Sequence, residues 1–257
     1  MAPRKGNMMT VRNDLKVLDA TIRDGGLCNN FEFTDEFVTE LYKTNIKSGV
    51  DYMEFGYRAS KKMFDPKKFG KWKFCDEEDI RKIVGENVSD MKISVMADVG
   101  RCDFKEDFIP KSESVIDMMR VACYIHQIPA AVEMVEHFHA LGYETTCNIM
   151  AISQAKTEDI EEALDMLGNS GVDVIYLVDS YGSLYPETAA ELAKIYLEAG
   201  EKYGKSIGFH AHNNQNLAFA NTIETMSYGV SYLDATAMGM GRGAGNCAME
   251  LLLGFLK

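Results

Sequence analysis

The chain has 257 residues, 46% of them apolar, which is enough to bury one large core instead of staying disordered. Its formal charge of −12 argues against nucleic acid or an anionic membrane as a partner, because phosphate binding needs a basic face. Residues 1–16 carry basic side chains with no apolar stretch behind them, and no later run of about 18 apolar residues could span a bilayer, so a cytoplasmic, soluble protein is expected.

Short β-rich runs alternate with helical patterns along the chain, as parallel strands joined by helical crossovers do. Strands are expected at 17–22, 52–55, 93–97, 115–121, 144–150, 174–178, 207–212 and 232–235. Helix starts are legible at Thr34, Asp76, Thr157 and Pro186, and stops at Gly49, Gly142, Gly171, Gly204 and Gly229. Eight βα units in this length fit a closed (β/α)8 TIM barrel better than an open doubly wound sheet. One catalytic barrel over 1–257 is expected, with 1–14 as a flexible N-terminal arm.

The stretch 58–75 (RASKKMFDPKKFGKWKFC) breaks the rhythm after the second strand. It is either a solvated loop or a lid whose Lys61, Lys62, Lys67, Lys68, Lys71 and Lys73 attract an anionic substrate. The six cysteines, Cys28, Cys75, Cys102, Cys123, Cys147 and Cys247, lack any Cys-x-x-Cys spacing and are read as free thiols in a reducing compartment.

The strongest chemical signal is Gly208-Phe209-His210-Ala211-His212-Asn213-Asn214 at the end of the seventh strand. Strand side chains alternate faces, so the two imidazoles point the same way, about 7 Å apart along the backbone, and can converge on one cation. Two core histidines are the bland alternative. A second signal is Leu18-Asp19-Ala20-Thr21-Ile22-Arg23-Asp24-Gly25-Gly26, where a strand runs into adjacent charges and two flexible glycines. Asp24 could complete a metal site and Arg23 neutralise an oxyanion, or the two could form a surface ion pair. The run from Ala237 to Asn246 holds four glycines before the closing helix, which suits either a backbone-amide cradle or a tight loop.

These motifs, with "DATIRDGG", "EFGYR", "LVDSYG", "HAHNN" and "GMGRGAGN" in this order, resemble the HMGL-like, or DRE-TIM, metallolyases over nearly the whole chain. The 4-hydroxy-2-oxovalerate aldolase branch looks nearest. The resemblance implies a divalent cation on Asp24, His210 and His212 with Asn246 as a fourth or nearby ligand, Arg23 stabilising an enolate, Ser180 holding the substrate's carboxylate or carbonyl, and Glu54 organising the site. Mixed N and O ligands suit Mn²⁺ or Mg²⁺, with Zn²⁺ and Co²⁺ compatible by ligand type. The implied activity is carbon–carbon cleavage of a 2-oxo acid, through pyruvate enolate chemistry. The alternatives are a Claisen-type synthase joining an acyl-CoA to a 2-oxo acid, and a catalytically silent barrel that binds metal or 2-oxo acid.

Departures from the family pattern are specific. The aldolases have a histidine three residues after the metal-binding aspartate, and this chain has Leu27. The lyases with a cysteine in the last glycine loop are not matched, since Met240 and Arg242 stand there, and the strand-end lysine of the transcarboxylases is missing. Tyr57, Tyr181, Cys28 and His126 are the candidates for the missing acid or base, the two tyrosines first. The chain also stops at Lys257, which argues against a partner aldehyde dehydrogenase and leaves homo-oligomerisation open.

Overall fold

The computed structural model describes residues 12–257. Eight parallel strands close on themselves in sequence order: β1 (Lys16–Asp19), β2 (Tyr52–Tyr57), β3 (Lys92–Asp98), β4 (Met118–Tyr124), β5 (Glu144–Met150), β6 (Val174–Asp179), β7 (Ser206–Ala211) and β8 (Tyr232–Ala235). The helices are α1 (Thr21–Asn29), α2 (Asp35–Ser48), α3 (Glu77–Val84), α4 (Ile128–Ala140), α5 (Thr157–Gly168), α6 (Pro186–Tyr203), α7 (Ala218–Tyr228) and α8 (Met249–Leu256). The expected closed (β/α)8 barrel is therefore the fold, but its helices are not evenly dealt. Two follow β1, while the connection from β3 to β4 holds a single 3-10 turn, Lys111–Glu113.

Most of the expected arm, residues 1–11, lies outside the described residues. Arg12 is tied to the barrel floor, where its guanidinium donates to the carbonyls of Met226, Gly229 and Val230. No helix among the described residues is long and apolar enough to cross a membrane.

The largest local correction concerns β1, which ends at Asp19 instead of continuing to Ile22. The Asp19 carboxylate accepts hydrogen bonds from the amide and hydroxyl of Thr21, an Asx-type turn that breaks the strand and starts α1. Arg23 and Asp24 thus stand in the first turns of a helix, where the strand reading had placed them on a strand end. Gly25 and Gly26 are helical, packed on Met240 and Phe31, and not a flexible link.

Odd and even strand residues divide between the helix layer and the barrel lumen. The lumen carries an ionic layer at mid-height. Arg120 donates to Glu54 at 2.9 Å and to Asp234 at 2.6 Å, with its guanidinium carbon 4.4 Å from the centre of the Tyr176 ring. All four side chains are fully buried. Below them, Tyr52, Lys92 and Tyr232 all donate to Glu144 and close the floor. Among the described residues these contacts cover the lumen at this end, and the site lies at the strands' carboxyl ends.

The stretch 58–75 is anchored by buried side chains at Ser60 and at 72–75, while residues 61–63 and 65–68 stay exposed. Trp72, Phe74 and Cys75 are buried in the core, and the Lys73 ammonium sits 5.1, 4.3 and 4.5 Å from the ring centres of Phe31, Tyr57 and Phe64. Lys61 pairs with Asp76, Lys62 with Asp103 and Glu106, and Lys71 with Asp35 and Asp79.

Candidate metal centre

Asp24 from α1 and His210 and His212 from the end of β7 come together at the mouth of the lumen, their ligand atoms all within 4.8 Å of one another. Strand alternation aims both imidazoles inward, with ring centres 5.2 Å apart. His210 Nε2 lies 3.1 Å and His212 Nε2 3.9 Å from Asp24 Oδ2. On its other side, His210 Nδ1 is 3.0 Å from Asp234 Oδ2. Because an ionised carboxylate can only accept, Nδ1 carries a proton, and a cation between Nε2 and Asp24 would take the Nε2 lone pair.

Asn246 joins this group through the loop after β8. The backbone of His212 bridges to that of Asn246, and the Asn246 amide nitrogen donates to Met240 O, leaving Oδ1 free. Two glycines make the approach feasible. A Cβ on Gly241 would fall 2.1 Å from Asn246 Nδ2, and Gly245, at φ +85°, faces Gly239 O so closely that a Cβ there would be 2.0 Å away. The run Ala237 to Asn246 is thus a tight loop that delivers Asn246.

The lone pairs show what the site is built to hold. Asp24 Oδ1, His210 Nε2 and Asn246 Oδ1 are buried without a hydrogen-bond partner among the described residues. Orphaned acceptors of this kind are costly, and three beside a buried carboxylate fit a cation and nothing apolar. Burial pushes the Asp24 carboxyl up, but Arg23, His210 and His212 outweigh it and hold Asp24 well below the usual carboxylate range. Burial disfavours a charged His210, yet Asp234 and Asp24 raise its affinity for a proton overall. His212 is lowered to about 4 by burial, then by His210, Arg23 and Arg242, so its ring is neutral at pH 7 and available as a ligand. In the linked ion-pair network, Arg23 and Arg120 stand against Asp24, Glu54 and Asp234, an excess of one carboxylate that a cation would balance.

Arg23 is held by two carboxylates, Nε on Glu54 at 2.8 Å and Nη1 on Asp24 at 2.9 Å. Glu54 itself lies behind Arg23 and does not line the cavity, so it positions the guanidinium without reaching a substrate. The cavity, about 310 Å³, is lined by Arg23, Asp24, His210, His212, Leu27 and Tyr57, together with Asp98, Asn148, Ser180 and Tyr181. Ser180 Oγ accepts from the amide of Ala151 at 2.8 Å, and its hydroxyl proton remains available.

The acid–base candidates fare unequally. Tyr57 reaches the cavity because the β2 register shifts between Glu54 and Tyr57, a bulge that turns both inward. Burial first and Asp98 second push its phenol well above the ordinary range, against Arg23, which keeps it protonated and unfit as a base. Tyr181 is 53% exposed at the rim. His126 is exposed and stacks on Tyr124, facing away from the cavity, and Cys28 is exposed and not part of its lining. Sequence reasoning missed Asp98, Arg101 and Asn148. The only signal was a polar residue closing each strand's apolar run, and the third strand had been ended at Ala97, one residue short of Asp98.

A parallel barrel with a His-x-His, Asp and Arg cluster at its carboxyl end defines a metallolyase class of site. Comparison places it: the HMGL-like family model matches residues 14–257, and the chain belongs to the HMGL-like family. It is 28% identical over 245 residues to an oxaloacetate decarboxylase of Mycobacterium tuberculosis, covering 94% of this chain and 69% of that protein. It is 29% identical over 247 residues to a 4-hydroxy-2-oxovalerate aldolase of Thermus thermophilus, covering 93% and 68%. Among solved structures, the N-terminal domain of a candidate aldolase from Bacteroides vulgatus aligns with a TM-score of 0.76 and 29% identity, over 94% of this chain and 79% of that one. The carboxyl transferase domain of Rhizobium etli pyruvate carboxylase, at 16% identity, TM-score 0.73 and coverage of 95% and 43%, shares the fold.

Proposed function

We propose that this chain is a divalent-metal-dependent lyase that cleaves a carbon–carbon bond of a 2-oxo acid, with pyruvate as the enolate-forming product. The observation that carries it is the convergence of Asp24, His210 and His212, with their unpaired lone pairs, beside a doubly anchored Arg23 in one cavity. One carboxylate, two imidazoles and the Asn246 carbonyl suit Mn²⁺ or Mg²⁺. When bound, such a cation supplies positive charge for the 2-oxo acid's oxygens and lowers the cost of the enolate.

The chain's own residues do the rest. Arg23 places a second positive centre, fixed by Glu54 and Asp24, where the enolate charge develops. Ser180 offers a hydroxyl proton, and Asn148, whose carbonyl is occupied by Thr146, offers its NH₂ group. Tyr57, whose phenol is kept protonated by burial, offers a hydroxyl proton. The six thiols are free, which suits a reducing compartment.

A second reading is decarboxylation of a 2-oxo diacid. Leu27 lines the cavity where the aldolase branch carries histidine, and loss of CO₂ requires no hydroxyl proton to be removed. Arg101 and Arg242, both in the cavity wall, could meet a second carboxylate. The condensing-synthase alternative drew on the lysine-rich stretch, none of whose lysines lines the cavity. Pyruvate release from a panel of 4-hydroxy-2-oxo acids and from oxaloacetate, with Mn²⁺ and after chelation, tests the proposal. Metal-dependent release from either class supports a lyase and names the bond, whereas no release from any of them leaves the silent barrel.

A further inference from the structure

The site as described lacks a group to move the proton. In the cleavage of a 4-hydroxy-2-oxo acid a base must take the hydroxyl proton, and an acid must protonate the enolate carbon. Among the described residues, the cavity's histidines are His210 and His212, both committed to the cation, and Tyr57 is held neutral.

Asp98 closes β3 and lines the same cavity as Arg23, Asp24 and the two histidines. Its Oδ1 is buried with no hydrogen-bond partner among the described residues, and its Oδ2 is 3.7 Å from Arg101 Nη1, beyond hydrogen-bond range. The carboxyl accepts no side-chain hydrogen bond among the described residues and has only a long ion pair with the largely exposed Arg101, whereas Asp24, Glu54 and Asp234 are held by buried arginines at 2.6–2.9 Å. We propose that Asp98 is the proton-transfer group of this site, taking the substrate's hydroxyl proton and returning it to the enolate carbon.

The step balances. The Asp98 carboxylate takes the proton on O4, and the O–H electron pair becomes the second bond of the aldehyde carbonyl. The C3–C4 bond breaks, and its pair passes to C3 and is delocalised onto the C2 oxygen. The Asp98 carboxylic acid then gives its proton to C3, which yields the 2-oxo acid and restores the carboxylate.

The electrostatics agree with this assignment. Burial raises the Asp98 carboxyl above its ordinary value, while Lys73, Arg101 and Arg23 pull it back and Glu54 adds to the rise. Tyr57 and Cys102 face the same carboxylate and feel its charge. A carboxyl raised toward the working pH transfers protons in both directions more readily than one held low.

The inference rests on the lyase reading, and the test separates the two. Exchange of the pyruvate methyl protons with deuterium in Mn²⁺-loaded protein needs no knowledge of the aldehyde. Wild type should exchange with an acid limb in its pH profile. Asp98→Asn should be slower by about 100-fold or more and lose that limb, with Mn²⁺ content unchanged, and Asp98→Glu should recover part of the rate. Exchange in the wild type that is unaltered in Asp98→Asn overturns the assignment and leaves the lyase reading standing. No metal-dependent exchange in the wild type overturns both. Should Asp98→Asn fail to fold, Asp98→Glu decides: a displaced acid limb supports the assignment and an unmoved one refutes it.

Discussion

Asp234 and His210 meet at 3.0 Å through Oδ2 and Nδ1, and the same Asp234 oxygen lies 2.6 Å from Arg120 Nη2. One carboxylate oxygen thus ties the mid-barrel ionic layer to the candidate metal centre. Asp234→Asn would let Nδ1 lose its fixed acceptor and leave Arg120 short of a counter-charge. We predict Mn²⁺ affinity lower by about 10- to 100-fold, measured by titration into metal-stripped protein. An unchanged dissociation constant would detach Asp234 from the site.

Arg23 acts on chemistry more than on metal binding, because its charge opposes a cation and favours an enolate. Arg23→Lys keeps the charge but cannot hold Glu54 and Asp24 together as the fork does. Near-normal Mn²⁺ content with kcat lower by about 100-fold is expected. Normal turnover would return Arg23 to a purely structural part.

Asp19 gives a pH signature that lies outside the metal site. Burial raises its carboxyl to about 6, against hydrogen bonds from Thr21 and Asn45. Since the folded value exceeds the unfolded one of about 3.9, the group favours folding below that value and loses its contribution as pH rises through about 6. A shift of this size is worth on the order of 3 kcal/mol. Urea unfolding at pH 4.5 and pH 7 should show Asp19→Asn gaining on the wild type by up to that amount at the higher pH. A difference that does not vary with pH would contradict the assignment.

Lys67 and Lys68, two of the six lysines in the stretch read as a possible lid, are exposed and do not line the cavity. Lys67→Glu and Lys68→Glu should leave KM for a 2-oxo acid within about twofold, and a larger rise that salt abolishes would revive a steering role.

How legible the molecule was depended on the range of the interaction. His210 and His212 could be read because strand alternation is local and leaves both rings on one face. The barrel followed from eight repeats of one pattern. The end of β1 was misread because Thr21 and Ile22 favour strands, whereas the turn is set by the Asp19 side chain. Tyr57, expected as a candidate acid or base, lines the cavity, but its raised pKa depends on burial and on Asp98, which no local pattern reveals. The Glu54–Arg120–Asp234 layer joins three strands far apart in sequence and left no trace in spacing. Asp98 was lost to a boundary drawn one residue early.

The central claim is that Asp24, His210 and His212 form one cation site serving the lyase. Calorimetric titration of Mn²⁺ into metal-stripped protein tests it most directly, with cooperative thermal unfolding as the check on folding. The account predicts one Mn²⁺ per chain, and an affinity lower by about 100-fold or more in Asp24→Asn and in His210→Ala/His212→Ala, each still folded. Retention of one Mn²⁺ at wild-type affinity in the double histidine variant would contradict it.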